Sequence, residues 1–310
     1  MEFSKELFEP LSNKEKQITQ IQRPSVTYWQ DAWRRLKSNK IALISLVVII
    51  VVSSLAIFVP VFSSYNYATN DLNSVNLKPS GTHLFGTDNL GRDLFVRTMY
   101  GARYSLLIGL VAAAINLLIG VAYGGISGYI GGKVDNIMMR IVDILYAIPT
   151  MIIVVLFMTI LSKPGKAGTD LGSIILALAI TYWLNMARIV RGEILQLKNQ
   201  EFVLAAKTLG ASGTRIIFRH LIPNAMGSII VTMTLLIPSA IFTEAFLSFI
   251  GLGISAPKAS LGTLANDAMG SIYLYPYQLF FPAIMICLII LAFNLFGDGL
   301  SDALDPKMRK

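Results

Sequence analysis

The chain has 310 residues, of which 54% are hydrophobic and only 14% are charged, against roughly 25% charged residues in an average soluble domain. Its mean hydropathy is +0.62, so the composition predicts an integral membrane protein and excludes an ordinary soluble domain. In such a protein a net charge of +8 is typical of basic cytoplasmic loops, and no nucleic-acid partner is expected. The single cysteine, Cys287, excludes an intrachain disulfide.

The N-terminal segment 1–40 is polar and basic, and its last part predicts an interfacial amphipathic helix. Four apolar side chains recur there at helical spacing, among four basic ones. The apolar set is Trp29, Ala32, Trp33 and Leu36, and the basic set is Arg34, Arg35, Lys37 and Lys40. The first long apolar run begins only at Ile41 and lacks a small-residue cleavage site after it, so no cleavable leader is expected.

Six apolar segments follow, each near the roughly 20 residues that cross a bilayer at 1.5 Å per residue. They are Ile41–Phe62, Tyr104–Tyr123, Ile141–Leu161, Leu171–Ala187, Ile229–Leu252 and Leu279–Phe296. Six spans put both termini on the same side, and that side carries 19 Lys and Arg residues against 7 on the other. The fold class expected is therefore all-α integral membrane, with six transmembrane helices and cytoplasmic termini.

The expected organisation has a long outer loop and a core of five transmembrane helices. Its parts are the cytoplasmic segment 1–40, the first transmembrane helix 41–62, the extracytoplasmic loop 63–103, the core 104–296 and the cytoplasmic tail 297–310. The outer loop ends in GTDNLG followed by a helical pattern, which predicts a turn and then an amphipathic helix on the outer surface, running into the second span. Asp88, Asn89 and Asp93 lack the remaining ligands of a calcium loop, so no metal site is expected.

Glycines recur every fourth residue at the cytoplasmic end of the second span, at positions 120, 124, 128 and 132. Small residues at this spacing let two helix backbones approach closely. The pattern leaves open whether the neighbouring helix belongs to this chain or to another subunit.

The longest polar stretch in the second half of the chain is 201–224, which predicts a helix, a break and a second helix on the cytoplasmic side. Gly210 can adopt the left-handed conformation that ends a helix, and Ser212 can cap a second helix carrying Arg215 and Arg219. Pro223 is expected to close the unit.

Two kinds of active site are disfavoured by the residues present. The nearest approach to a phosphate-binding loop, Gly131-Gly132-Lys133-Val134, has Val where a hydroxyl must bind magnesium. Gly125-Ile126-Ser127-Gly128 resembles the surroundings of a membrane serine nucleophile, but no histidine is predicted in any span to act as its base. The chain is therefore not expected to be an enzyme.

Polar residues inside predicted spans are the candidates for a translocation path or a subunit interface. The clearest is Glu244, because a charge within the bilayer costs roughly 2.5 to 3.5 kcal/mol; the alternative is a buried carboxyl that bonds a neighbouring helix. Asn116 and Asn185 are interpreted as interhelical hydrogen-bonding residues or as path residues. Asp143 lies three residues after Arg140, which predicts a local ion pair.

The segment 201–224 resembles the EAA loop of permease subunits of ABC importers, with Ala205, Ala206, Gly210, Ile222 and Pro223 at the matching positions. GTDNLGRDLFVRTMYGARYSL, TEAFLSFIGLG and GDGLSDALDPKMRK extend the resemblance from about Trp33 to the end. Together these stretches are similar to the C-type permease of oligopeptide and dipeptide importers. One departure is Leu204, which stands where the family often has Glu.

The resemblance implies a multi-pass protein of the bacterial cytoplasmic membrane, with the type I ABC importer permease fold. It also implies partners: a second, homologous permease subunit, two cytoplasmic ABC ATPases that bind ATP and Mg, an extracytoplasmic peptide-binding protein, a peptide substrate and membrane lipid. No cofactor is expected on this chain. The implied ATPase-coupling residues are Glu201, Ala205, Ala206, Lys207, Gly210, Ala211, Arg215 and Pro223. Nickel importers have similar permeases and remain an alternative, as does, more remotely, an ion-coupled secondary transporter.

Overall fold

A computed structural model describes residues 27–161 and 170–305. Over these ranges the regular structure is helical, apart from one isolated bridge between Thr87 and Asp93. The helices are α1 Tyr28–Ser38, α2 Lys40–Phe62, α3 Leu94–Ile130, α4 Gly132–Ala147, α5 Thr150–Leu161, α6 Leu171–Leu197, α7 Glu201–Thr208, α8 Gly213–Ile216, α9 Ile222–Leu247, α10 Leu261–Met269 and α11 Tyr277–Leu304. Two π-helical turns, Ile217–Leu221 and Ser248–Leu252, flank α9. The predicted all-α membrane fold is confirmed.

Five continuous helical stretches in the described part of the chain are long and apolar enough to cross a bilayer. They are α2, α3, α6, the stretch Gly213–Leu252 that contains α9, and α11. A sixth span is obtained when α4 and α5 are counted together, but these two helices meet at an angle of 88°. The predicted third span, 141–161, is therefore a bent pair and not a straight helix.

The bend between α4 and α5 has a local cause in Ile148 and Pro149. Ile148 has φ −85° and ψ 130°, the extended conformation that the ring of a following proline imposes on the preceding residue. Proline also lacks the N–H that would continue the helical ladder. The chain must therefore change direction here.

Helices α3 and α6 extend well beyond their predicted limits. Helix α3 has 37 residues, about 55 Å at 1.5 Å per residue, and so exceeds the roughly 30 Å hydrocarbon core. Its first turns were expected to form an amphipathic helix on the outer surface that runs into the second span. The continuity is confirmed, but Leu94, Thr98 and Met99 are buried. Helix α6 continues to Leu197, ten residues past the predicted end at Ala187.

Asp88 and Asp93 organise the outer loop before α3. The Asp88 carboxylate accepts hydrogen bonds from the Leu90 and Arg92 backbone N–H groups, each at 2.9 Å, and from Arg92 Nε at 2.6 Å. Asp93 caps α3 by accepting from Val96 N at 2.8 Å, and it also pairs with His83 Nδ1 at 2.9 Å. Both carboxylates are thus used in folding the turn, and the described residues contain no cluster suited to a metal ion.

The glycine stripe of α3 packs against α6 of the same chain. A Cβ atom added at Gly120, Gly124 or Gly128 would lie nearer than 3.0 Å to atoms of Met186, Ala187 or Arg191. Such contact allows no side chain, so glycine is needed at these three positions. Of the two interpretations left open by the sequence, the structure supports intrachain packing; Gly132 faces open space.

Helix α1 packs on the end of α11. Leu36 is buried in a cluster with Ala42 and Ala303, Ala32 is buried as well, and the Tyr28 hydroxyl donates to the Leu304 carbonyl at 2.9 Å. The two tryptophans of the predicted apolar face, Trp29 and Trp33, are about half exposed. Of the predicted apolar face, Ala32 and Leu36 therefore pack against the protein, and Trp29 and Trp33 face outward. The position of this helix at the membrane interface stays a prediction.

Candidate coupling segment and translocation groove

The coupling segment, 201–224, has the predicted helix, break and second helix. Helix α7 ends in a Schellman motif, in which Gly210 N donates to Lys207 O at 2.9 Å and Ala211 N donates to Ala206 O at 3.0 Å. Gly210 has φ +80°, the left-handed conformation that the motif requires. Ser212 then caps α8 by accepting from Arg215 N at 3.4 Å.

Pro223 does not close this segment as predicted. It occupies the first turn of α9, where the missing proline N–H costs little because that turn has no intrahelical partner for it. The chain continues from Gly213 to Leu252 as one helical stretch. The second helix of the coupling segment is thus directly continuous with a membrane span, so a displacement of one moves the other.

One side of α7 is held against the body of the protein. Val203 is fully buried and Ala206 is 7% exposed, and they pack in one cluster with Ile194 of α6 and Leu221. Both Ala205 and Ala206 are implied ATPase-coupling residues, but only Ala205 is exposed, because consecutive helical residues differ by about 100° in direction. Ala206 instead packs in the buried cluster that also contains Ile194 of α6.

The other side of α7 is open and partly apolar. Phe202, Ala205 and Leu209 share one face at the spacing i, i+3, i+7, and all three are exposed, Leu209 by 88%. Glu201 and Lys207 are exposed beside this face. Phe202 and Leu209 were not among the predicted coupling residues. Their apolar side chains, three residues before and four residues after Ala205, could have indicated that they share its face. A cluster of exposed apolar side chains on a rigid helix indicates a protein contact surface.

Two basic side chains at the C-terminal end of α6, just before α7, form hydrogen bonds with α3 and α4. Lys198 Nζ donates to the Gly128 carbonyl at 2.9 Å. Arg191 of α6 donates to both oxygens of Asp135 at 2.6 and 2.7 Å, and Ser127 Oγ donates to Asp135 Oδ1 at 2.5 Å. Because Ser127 is bonded to this carboxylate and has no histidine beside it in the described hydrogen bonds, it lacks the arrangement of a protease nucleophile.

Asp143 does not pair with Arg140 as predicted. It accepts from Arg188 Nη2 of α6 at 2.7 Å, and the Arg188 guanidinium lies 4.2 Å from the ring centroid of Tyr146. Tertiary packing brings α6 beside α4, so an interhelical partner replaces the local one. Two salt bridges, Asp135–Arg191 and Asp143–Arg188, consequently join α4 to the C-terminal part of α6.

A groove of about 430 Å³ lies between the α4–α5 bend, α6 and α9. Its walls carry several hydrogen-bonding groups among aliphatic side chains, which is unusual for a surface that faces lipid. The polar lining residues are Tyr146, Thr150, Thr181, Tyr182, Asn185, Thr232 and Ser239. Asn185 is exposed in this groove, and its role on a path stays a prediction.

Asn116 lies apart from the groove lining and is fully buried in α3. Neither its side-chain nitrogen nor its side-chain oxygen has a hydrogen-bond partner among the described residues. The predicted interhelical hydrogen bond is therefore not present.

Glu244 is completely buried within the chain. Its carboxyl group accepts from Ser105 Oγ of α3 at 2.8 Å and from Ser248 Oγ at 2.7 Å. Ser260, the N-cap of α10, donates to Ser248 Oγ at 3.1 Å. This geometry matches the alternative of a buried carboxyl that bonds a neighbouring helix, since Glu244 bonds α3 directly and is linked to α10 through Ser248. A role on the translocation path stays a prediction. The structure thus does not bring Glu244, Asn116 and Asn185 into one site.

Comparison with known proteins agrees with this architecture. Residues 105–310 match the family described as "Binding-protein-dependent transport system inner membrane component", and residues 27–79 match "N-terminal TM domain of oligopeptide transport permease C". The chain is 54% identical over 306 residues to the oligopeptide transport system permease protein OppC of Bacillus subtilis (strain 168), covering 99% of this chain and 98% of that protein.

A dipeptide transport system permease protein, DppC of the same organism, is 52% identical over 298 residues, which cover 96% of this chain and 91% of that protein. Among solved structures, a chain of the inward-facing MetNI methionine ABC transporter matches with a TM-score of 0.55 and 20% identity. The match covers 68% of this chain and 96% of the solved one, and at that identity it concerns the fold alone.

Proposed function

The chain belongs to the family of binding-protein-dependent transport system inner membrane components, and from this membership we propose that it forms half of an oligopeptide path across the cytoplasmic membrane. It is a multi-pass permease subunit and not the catalytic component of its transporter. The nearly full-length similarity to named oligopeptide and dipeptide permeases supports a peptide substrate in preference to a metal ion.

The observation that carries this proposal is the exposed apolar face of α7, which consists of Phe202, Ala205 and Leu209. A cytoplasmic ATPase would receive this face in a cleft on its surface. Ala205 keeps the centre of the face slim, while Glu201 and Lys207 lie at its edges to form polar contacts. Leu204, at the family's usual Glu position, is about half exposed beside this face.

The residues on the buried side of α7 would hold it in place, so that a displacement by the ATPase is passed on to the membrane spans. Val203 and Ala206 fix it on α6, the Gly210 motif fixes its exit, and Ala211 and Pro223 lead into the span that follows. Closure of two ATPase subunits around ATP and Mg would therefore displace α6 and α9 together with α7. Moving a two-state equilibrium from 1:99 to 99:1 needs about 5.5 kcal/mol of differential binding.

The groove beside Asn185 would form this subunit's half of the peptide path. Its hydroxyl and amide groups can exchange hydrogen bonds with successive backbone groups of any peptide, which suits a substrate of variable sequence. A second, homologous permease would supply the other half, and an extracytoplasmic binding protein would deliver the peptide. Two permeases and two ATPases are the proposed composition.

The test is uptake of a labelled oligopeptide by proteoliposomes that contain the complete transporter and the binding protein. We expect uptake to require ATP on the ATPase side, and Leu209→Asp to abolish both uptake and co-purification of the ATPase subunits. Lys133→Gln, which alters an exposed side chain in the first turn of α4 and no residue of that face, is the matched control. Uptake driven by an ion gradient without ATP would refute the proposal.

A further inference from the structure

A second groove, of about 570 Å³, shares no lining residue with the groove proposed for the peptide path. It runs between the cytoplasmic half of α3 and the continuous stretch formed by α8, the π turn and α9. Its walls include Leu118, Val121 and Ile126 on one side and Thr214, Phe218 and Ile229 on the other. Among the lining residues, only Thr214 has a polar side chain, so the occupant must be apolar over most of its length.

The length of this groove corresponds to one lipid molecule. From Thr214 to Ile229 the wall extends about 22 Å along the helix axis. A bilayer of about 40 to 45 Å including headgroups assigns about 20 to 22 Å to each leaflet. A single phospholipid in the cytoplasmic leaflet would therefore fill the groove from its headgroup to the end of an acyl chain.

Two basic residues directly follow lining residues near the end of the groove where the headgroup would be. Arg215 follows Thr214 and Arg219 follows Phe218, and both arginines are exposed. Neither forms a salt bridge with a carboxylate in the described residues. Basic pockets between transmembrane helices on the cytoplasmic side bind anionic headgroups, at about 1 kcal/mol for each basic residue near the surface.

The composition of the walls favours a lipid over a helix of another subunit. Helix pairs in membranes approach through Gly, Ala, Ser and Thr, as α3 and α6 do in this chain. The second groove is lined by Leu, Ile, Val, Met and Phe, with Ala122 and Thr214 as the only small side chains. Large, flexible aliphatic side chains with an open space between them fit an acyl chain better than a close helix.

We propose that this groove, with Arg215 and Arg219 at its mouth, is a binding site for one anionic phospholipid of the cytoplasmic leaflet. Because the arginines belong to the coupling segment, the headgroup would fix the position of α8 relative to the membrane surface. The proposal rests on the proposed function for its orientation, since anionic lipid lies at the cytoplasmic face. It gives Arg215 a membrane role in place of the ATPase contact expected from the sequence.

The experiment measures lipid association with the complete transporter in nanodiscs by electron paramagnetic resonance. Spin-labelled phosphatidylglycerol is compared with spin-labelled phosphatidylcholine, and the immobilised fraction of each is recorded. In the double variant Arg215→Gln with Arg219→Gln we expect the preference for phosphatidylglycerol to fall about tenfold to thirtyfold. The control double variant Lys133→Gln with Arg140→Gln removes the same charge from α4 and should keep the preference.

Two further variants separate charge from shape. Arg215→Lys with Arg219→Lys keeps both charges and should keep most of the preference, because a phosphate accepts hydrogen bonds from an ammonium as well. Ala122→Trp narrows the groove without changing charge and should reduce the immobilised fraction of both lipids. An unchanged phosphatidylglycerol preference in the glutamine double variant would overturn the proposal.

Two other results would also overturn it. Loss of the second permease subunit from purified Ala122→Trp complexes would show that the groove is a subunit interface. Equal loss of peptide uptake by the glutamine double variant in purely neutral and in phosphatidylglycerol-containing membranes would assign the arginines to the ATPase contact. ATP-driven uptake by the unmodified transporter is measured in parallel, so failure of the proposed function is seen separately from failure of the lipid site.

Discussion

Arg191 donates hydrogen bonds to both carboxylate oxygens of Asp135, from Nε at 2.6 Å and from Nη2 at 2.7 Å. Asp135 lies in the first turn of α4, and Arg191 lies in the last two turns of α6. The pair therefore connects the bent span to the helix that leads into α7. A planar guanidinium bonded at two points holds orientation as well as distance.

The first prediction concerns this pair. Asp135→Asn or Arg191→Gln should each lower the free energy of unfolding by about 1–3 kcal/mol, because each removes a two-point charged hydrogen bond between a buried carboxylate, 9% exposed, and a guanidinium that is 32% exposed. ATP hydrolysis should persist while peptide uptake falls, since motion of α7 no longer reaches α4. A double-mutant cycle on thermal stability, combined with both activity assays, measures the coupling.

The neighbouring pair Asp143–Arg188 provides the control for that cycle. Its side chains are 62% and 36% exposed, so solvent screens their attraction and the expected coupling is below about 1 kcal/mol. A coupling energy for Asp135–Arg191 no larger than that of the control pair would contradict the proposed connection.

The second prediction concerns Gly210. Valine at φ +80° is strained by about 1–3 kcal/mol, so Gly210→Val should distort the exit of α7, leave membrane insertion intact and uncouple ATP hydrolysis from uptake. Gly210→Asn should retain most coupling, because asparagine tolerates the left-handed conformation. Normal peptide uptake by the valine variant at normal expression would refute the rigid-helix mechanism.

The third prediction separates the two adjacent alanines of α7. Ala205→Trp places bulk on the exposed face and should prevent co-purification of the ATPase subunits while the permease stays folded. Ala206→Trp places the same bulk in a closely packed contact with α6, and overpacking should cost about 1–3 kcal/mol of stability. Pull-down of the ATPases and thermal unfolding of the permease pair distinguish the two effects, and identical behaviour of the variants would argue against the assigned faces.

The fourth prediction concerns Glu244. Glu244→Gln keeps the shape and one acceptor oxygen, and a serine hydroxyl can rotate to accept from the new amide, so stability and uptake should change little. Glu244→Leu leaves Ser105 and Ser248 without their acceptor and should cost about 1–3 kcal/mol. Changed uptake kinetics in the glutamine variant with unchanged stability would instead support a role on the path.

Much of the coupling segment could be predicted because its determinants are local. A glycine in the left-handed conformation, a serine cap and the apolar spacing of α7 depend on a few neighbouring residues. The predicted positions of Gly210 and Ser212 are confirmed for this reason. Ion-pair partners that are distant in the sequence could not be predicted in this way. Asp143 has a basic residue three positions before it, yet it pairs with Arg188, 45 positions later.

Two prolines show the limit of hydropathy as a guide. Apolar content alone predicted a straight third span, and only the position of Pro149 within it marks the 88° bend. Pro223 was expected to end a unit, but in the first turn of α9 it begins one. A proline restricts local geometry, and the surrounding helices decide which of the permitted geometries is used.

By itself the sequence determined that the chain is an all-α membrane protein with a polar helix–break–helix segment at 201–224, because hydrophobic length and turn chemistry are properties of contiguous residues. Only the tertiary structure decided that Ala206 is a packing contact, that Glu244 is enclosed by serines and that the glycine stripe serves the chain's own α6. These outcomes depend on which helices become neighbours, and that choice is made by packing across the whole fold.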